Sequence, residues 1–249
     1  MRAQIHAVTL NLPVNGPLIV SGLCWIVAYI FAIREGFRAK TYCIPTFAVF
    51  LNFTWELFFA LDCPFVPACT VTNPAACLCP DITGLSRVIL WGWVAFDVLI
   101  VYQVLRYGRE REPIPEIKRF FSAIAASMVV FAFILQWAFI TYYHDRAGVV
   151  DAFMINLVMS ISFIYLLISR PDLNGLPTSV AWFKMFGTTL ASIGFCIMKP
   201  FPFPGQQSDA FVYVLFGGNF LFDMAYIFLL TNRRRQLMAA NVATAGATA

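Results

Sequence analysis

The chain alternates long apolar runs with short charged or proline-rich segments. Seven apolar runs stand out, at residues 17–33, 41–61, 87–105, 120–141, 151–169, 178–198 and 209–231. Each has close to the ~20 residues that a helix needs to cross a ~30 Å hydrocarbon core. The pattern predicts an all-α protein, a polytopic bundle of seven transmembrane helices. The first run lacks a basic leading segment and a small-residue cleavage site, so it reads as a retained helix and not as a signal peptide. Connections are short and no internal repeat is visible. Residues 1–239 therefore read as one domain, and the tail 240–249, "ANVATAGATA", is expected to be disordered.

Composition agrees with a membrane solvent. The chain is 60% hydrophobic and 12% charged, where soluble domains carry about 25% charged residues. A net charge of +4 is too small to suggest a nucleic-acid partner. The distribution of that charge sets the orientation. With seven spans, one side of the membrane carries Arg2, Arg87, Arg146 and Lys199. The other carries twelve basic residues, in the clusters Arg34–Lys40, Arg106–Arg119 and Arg233–Arg235 and at Arg170. The richer side is expected to be cytoplasmic, which puts the N-terminus outside and the C-terminus inside. Most of the 26 Phe are expected to face lipid, and the rest to line a pocket.

Four of the seven cysteines, Cys63, Cys69, Cys77 and Cys79, crowd into the second loop, on the non-cytoplasmic side. Four cysteines in an oxidising compartment read as two disulfides of undetermined connectivity, stapling a cap over the outer mouth. The loop contains no His, and Cys-x-Cys is unusual zinc spacing.

Three acids interrupt the apolar runs: Glu56 in "NFTWE", Asp97 in "WGWVAFDVL" and Asp223 in "NFLFD". A charged side chain at mid-membrane costs about 2.5–3.5 kcal/mol on insertion scales, so each is expected to face the bundle interior. Helical spacing groups them with other polar and aromatic residues. Asn52 and Glu56 are one turn apart, as are Trp93 and Asp97, and Asn156 and Ser160; Asn219, Asp223 and Tyr226 share a face of the last span. Four such stripes facing inward would build an aromatic pocket with a few polar groups, the usual form of a small-molecule site. From their distances to the span ends, Glu56 and Asp223 would differ by roughly 10 Å in depth, as two points along one elongated cavity.

A buried carboxylic acid without a cationic partner keeps its proton near neutral pH. In a dry aromatic pocket it serves as a general acid, and aromatic faces stabilise a developing cation by about 2 kcal/mol or more each. Acid plus aromatic lining is what carbocation chemistry on an apolar substrate needs. No nucleotide, metalloprotease or hydrolase motif is present. No metal or other cofactor is expected, and without an Asp cluster diphosphate ionisation by Mg²⁺ is not expected either. A retinal protein needs a lysine in the last span, and there is none. A proton-coupled transporter or small-molecule-binding membrane protein is the alternative that uses the same acids; the lack of repeats and of broken half-helices speaks against it.

Taken in order, "NFTWE", "NLVMS" (156–160), "KMFGT" (184–188) and "NFLFD" resemble the small integral-membrane terpene cyclases of fungal meroterpenoid and indole diterpenoid pathways, with bacterial relatives acting on prenylated indoles. The resemblance implies proton-initiated cyclisation of a prenyl chain, at a terminal alkene or an epoxide. It implies Glu56 and Asp223 as the catalytic acids, with Asp97 and Asn156 as supports; Asn52, Trp55, Trp93, Asn219 and Tyr226 are the further candidates for substrate binding or support. It also implies a hydrophobic prenylated substrate drawn from the bilayer. The Cys-rich second loop departs from the fungal pattern and favours a bacterial cell membrane; for a fungal chain the endoplasmic reticulum membrane is implied.

Overall fold

The computed structural model describes residues 12–61, 85–112, 114–143, 145, 148–197 and 209–247. These form seven helices: α1 (Leu12–Ala39), α2 (Thr46–Ala60), α3 (Leu85–Arg111), α4 (Pro115–Tyr143), α5 (Val149–Ser169), α6 (Thr178–Ile197) and α7 (Ala210–Ala247). No strand occurs among the described residues. Six helices are long and apolar enough to cross a membrane. The exception is α2, with 15 residues, or about 22 Å.

The packing explains that exception. The neighbours run α1–α3–α4–α5–α7–α6 and back to α1, a closed ring of the six long helices. Helix α2 packs inside the ring, against α3, α4 and α5. None of its residues is exposed, and all but Thr46, Asn52, Thr54 and Glu56 are apolar, as suits a helix surrounded by others. The helices of the ring turn apolar side chains such as Val88, Val214 and Ile168 outward. Buried positions instead hold Glu56, Asp97, Gln103, Lys184, Asn219 and Asp223. Ionisable groups kept inside an apolar exterior suit an apolar solvent, and the chain is an integral, multi-pass membrane protein.

Helix ends and apolar spans do not coincide. Helix α3 continues to Arg111 and ends with basic residues in its last turn, because hydrogen bonding can carry a helix past the interface where hydropathy ends. Likewise α7 continues to Ala247, through the small-residue segment whose composition predicts disorder. Alanine is the best helix former, and that outweighs low complexity here. The expectation for Phe also needs correction. Phe50, Phe58, Phe59 and Phe163 are among the largest fully buried side chains, since a bundle in lipid fills its core with the same rings that suit its surface.

Helix α1 ends with Lys40 in the left-handed region (φ 49°). The Thr41 amide donates to the Gly36 carbonyl at 2.9 Å, closing the last turn in the Schellman manner. The seam between α1 and α6 is close because α6 presents glycine. A Cβ at Gly187 would lie 2.8 Å from the Trp25 ring, and one at Gly194 would lie 2.6 Å from Leu18. Small residues let membrane helices approach and pack. Ser21 uses that approach to donate to the Gly187 carbonyl at 2.7 Å.

Candidate active site

A cavity of about 270 Å³ lies between α1, α2, α5 and α6, with Trp93 of α3 at its edge. Trp25, Tyr29, Trp55, Trp93, Phe153 and Phe195 supply most of its rings. Helix α1 contributes Leu18, Ser21, Gly22, Trp25 and Tyr29, a stripe at helical spacing that brings a fifth polar and aromatic face to the interior.

The acid cluster is built on α1, α2 and α3. Glu56 is 3% exposed, and its Oε1 accepts two hydrogen bonds, from the Tyr29 hydroxyl and from Asn52 Nδ2, each at 2.9 Å. The same Asn52 nitrogen lies 2.9 Å from Asp97 Oδ2 and 2.7 Å from the Tyr29 oxygen. Two carboxyl groups therefore meet at one amide nitrogen. Two negative charges so close in a dry interior would repel strongly, so the pair is suited to hold a proton between them. Glu56 lines the cavity; Asp97 stands behind it. Glu56 Oε2 is buried without a donor.

Trp55 is fixed by a hydrogen bond from its Nε1 to the Gly148 carbonyl at 3.2 Å. Gly148 precedes α5 with φ 63°, and a Cβ there would come within 2.5 Å of the Phe59 ring. That close approach and that backbone both require glycine. Asp145 secures the start of α5: its carboxylate accepts from the Val149 amide at 3.0 Å and the Asp151 amide at 2.9 Å, satisfying donors that a helix start leaves free. Burial pushes the Asp145 carboxyl up to about 6, against the opposing pull of those amides.

Asp223 is elsewhere. Its two oxygens take Lys184 Nζ at 2.7 and 3.0 Å, and the same nitrogen donates to Ser160 Oγ at 2.7 Å. Asp223 does not line the cavity, so the expectation of two acids along one cavity is corrected: the acid that meets Glu56 is Asp97. Nor is Asp223 without a cationic partner. Asn219 is fully buried and donates to the Phe153 and Leu215 carbonyls at 3.0 and 2.9 Å. Tyr226 packs in the core on Phe163, with ring centroids 4.9 Å apart. The whole α7 stripe thus faces inward, as its spacing predicts, but supports the walls and floor. Of the expected residues, Asn52, Trp55, Glu56, Trp93 and Asn156 line the cavity. Cys63, Cys69, Cys77 and Cys79 lie outside the described residues.

Sequence reasoning passed over Tyr29, Trp25 and Thr188, and paired Lys184 with nothing. The signal for Lys184 was present: a lone lysine in one span and a lone aspartate in another are a charge-neutral pair. The α1 stripe is legible in its spacing, but it carries no acid or amide to set it apart from packing.

The fold and cavity define a class: a helical membrane protein that encloses an aromatic chamber with a carboxyl pair in its wall. The comparisons identify the family within it. The family model for Pyr4-like transmembrane terpene cyclases matches residues 6–236. The chain belongs to this family, the membrane-embedded terpene cyclases. It is similar to the Pyr4-family terpene cyclase mfmH of Annulohypoxylon moriforme, at 27% identity over 73% of this chain and 69% of the relative. It is also similar to the terpene cyclase macJ of Penicillium terrestre, at 24% identity over 73% and 66%, and to the terpene cyclase ascF of Acremonium egyptiacum, at 27% over 47% and 37%. The chain thus spans about two thirds of the length of the first two and about a third of the last. No solved structure matches it. Family membership decides between the readings left open by the residues alone, in favour of the cyclase over the transporter.

Proposed function

We propose that the cavity folds the prenyl chain of a membrane-dissolved substrate and that Glu56 protonates its terminal alkene or epoxide. The observation that carries this is the placement of Glu56: of the two carboxyl groups meeting at Asn52, it is the one that lines the aromatic chamber. Its proton passes to the alkene carbon, where the π pair forms the C–H bond, or to the epoxide oxygen, where a lone pair forms the O–H bond as the C–O bond breaks toward oxygen. The cation then closes rings by attack of successive alkenes. Loss of a proton from the last cation ends the sequence, so the net change is an isomerisation. Tyr29 and Asn52 hold Glu56 Oε1 and steady the carboxylate left after transfer. Asp97 shares the charge, and the pair is reset for the next turnover by taking up one proton, equivalent to the one that the last cation loses. The faces of Trp25, Tyr29, Trp55 and Trp93 stabilise the migrating charge, and the apolar lining excludes water that would trap it.

Asp223 acts at a distance in this reading. Paired with Lys184 and Ser160, it forms the floor one helical turn beneath Asn156 and Thr188, and keeps those walls in register. Prenylated aromatic, indole or meroterpenoid precursors are the substrates that the family resemblance and the chamber favour. In the membrane, α2 completes a seventh crossing from inside the ring, with the N-terminus outside and the C-terminus cytoplasmic. The fungal relatives favour the endoplasmic reticulum membrane.

Glu56→Gln tests the assignment. The amide oxygen keeps both bonds now made to Oε1, so the fold is retained while the transferable proton is lost. Cyclisation in membranes at matched expression is expected to fall at least about 10²-fold. Turnover near the wild-type rate would return Glu56 to packing.

A further inference from the structure

Three side chains that line the cavity carry a buried polar atom without a partner besides Glu56: Trp93 Nε1, Asn156 Oδ1 and Thr188 Oγ1. Trp93 belongs to the acid wall, one turn from Asp97. Asn156 and Thr188 belong to α5 and α6, the two cavity-lining helices that supply nothing to the acid cluster. Their relative position follows from the layer below. Ser160 Oγ and Lys184 Nζ meet at 2.7 Å. One turn further along α5 in one direction and along α6 in the other stand Asn156 and Thr188, facing the same chamber.

Among the described helical hydroxyls, only those of Thr188 and of Thr141, which does not line the cavity, are buried without a partner. Thr54, Ser127, Ser160 and Ser192 each donate to the carbonyl four residues earlier, at 2.8 to 2.9 Å. That is the default by which a hydroxyl in an apolar helix satisfies itself. Thr188 is 3% exposed and forgoes it. A buried hydroxyl and a buried amide oxygen left open on the wall away from the acids favour a ligand that pairs with them. A prenyl chain offers no such atom.

We infer that Thr188 and Asn156 form a recognition point for a hydroxyl group on the non-isoprenoid part of the substrate. The hydroxyl oxygen accepts from Thr188 Oγ1 and its hydrogen is donated to Asn156 Oδ1. A single hydroxyl satisfies both groups; an ether carries a methyl group where the hydrogen would meet Asn156 Oδ1, which keeps its oxygen off Thr188, and an N–H reaches only Asn156. Fixing the head there, away from Glu56, decides which end of the prenyl chain meets the acid. This rests on the cyclase reading of the same chamber.

The test uses binding as well as turnover. The full-length Glu56→Gln protein in detergent is titrated with a farnesylated phenol and with its O-methyl ether, and read by the fluorescence of the tryptophans in the cavity wall. The phenol is expected to bind saturably and roughly tenfold tighter than the ether, the worth of one good hydrogen bond. Thr188→Val, which keeps the shape and removes the hydroxyl, is expected to weaken the phenol roughly tenfold and to leave the ether's affinity little changed. Thr188→Ser is expected to restore the preference, which a purely structural role for Thr188 would not do. Equal affinity for phenol and ether, indifference to Thr188→Val, or no saturable binding of either probe overturns the inference. In the active protein the two readings separate. A phenol preference that depends on Thr188, with no cyclised product, removes the cyclase reading of this substrate and leaves the recognition point standing. Product formed equally from both probes removes the recognition point alone.

Discussion

Replacing Asp223 by Asn leaves Lys184 in a buried site without its counter-charge. The lysine and aspartate side chains are 3% and 4% exposed, and the ion pair is 2.7 Å long. Breaking one partner of such a pair costs about 3–5 kcal/mol, because the remaining charge has neither water nor a counter-ion. Ser160 and the Trp25 ring, whose centroid is 6.0 Å from Lys184 Nζ, offset only part of it. By the scaling of domains of 150–250 residues, that is a fall of roughly 6–20 °C in melting temperature. The assay is thermal unfolding in detergent, followed by the loss of the monodisperse size-exclusion peak. The double variant Lys184→Met with Asp223→Asn removes both charges and is expected to recover more than half of the loss, since apolar replacements of buried pairs are often tolerated. Asp223→Asn melting within about 1 °C of wild type, or a double variant no better than the single, would refute the argument. Activity then separates two roles. A stable double variant that still cyclises makes Asp223 a positioning residue; a stable but inert one gives it a chemical part. From sequence alone Asp223→Asn is expected to fold normally, because no partner was assigned to the acid. The ion pair reverses that expectation.

Two further substitutions probe the start of α5. Gly148→Ala places a Cβ against the Phe59 ring and 2.8 Å from Trp55 Nε1, at φ 63°; it is expected to cost about 1–3 kcal/mol and to shift product ratios by moving Trp55, whereas unchanged melting and products would show that the rings yield freely. Asp145 binds its proton up to about pH 6 when folded, while an unfolded Asp releases it near pH 3.9. The folded state therefore holds more protons between those values, and this group's contribution to stability falls as pH rises through that window. Wild type is thus expected to lose more melting temperature than Asp145→Asn between about pH 4 and 7, and parallel curves would count against it.

The architecture was largely legible because the bilayer imposes a simple rule: about twenty apolar residues per crossing, with charges at the ends. Six of the seven runs are helices of that kind, and the interior placement of Glu56, Asp97 and Asp223 follows from the cost of exposing an acid to lipid. Helical spacing alone put Asn52 with Glu56 and Asn219 with Asp223 on inward faces. What spacing within a helix cannot express is which inward faces meet. That depends on the ring of six helices closing around α2, a matter of how ridges, glycines and core rings pack between elements distant in sequence. Gly187 and Gly194 bring α1 against α6, and so carry Tyr29 to Glu56 and Trp25 over Lys184. The ring sets α7 behind α5 and α6, which gives Asp223 to Lys184 and leaves Asp97 as the acid beside Glu56. The acids and their burial were written in the sequence; their partners, and hence their division into two carboxyl groups sharing Asn52 and an aspartate paired with Lys184, were decided only by the tertiary structure, because an electrostatic setting is a property of neighbours a few ångströms apart and not of position along the chain.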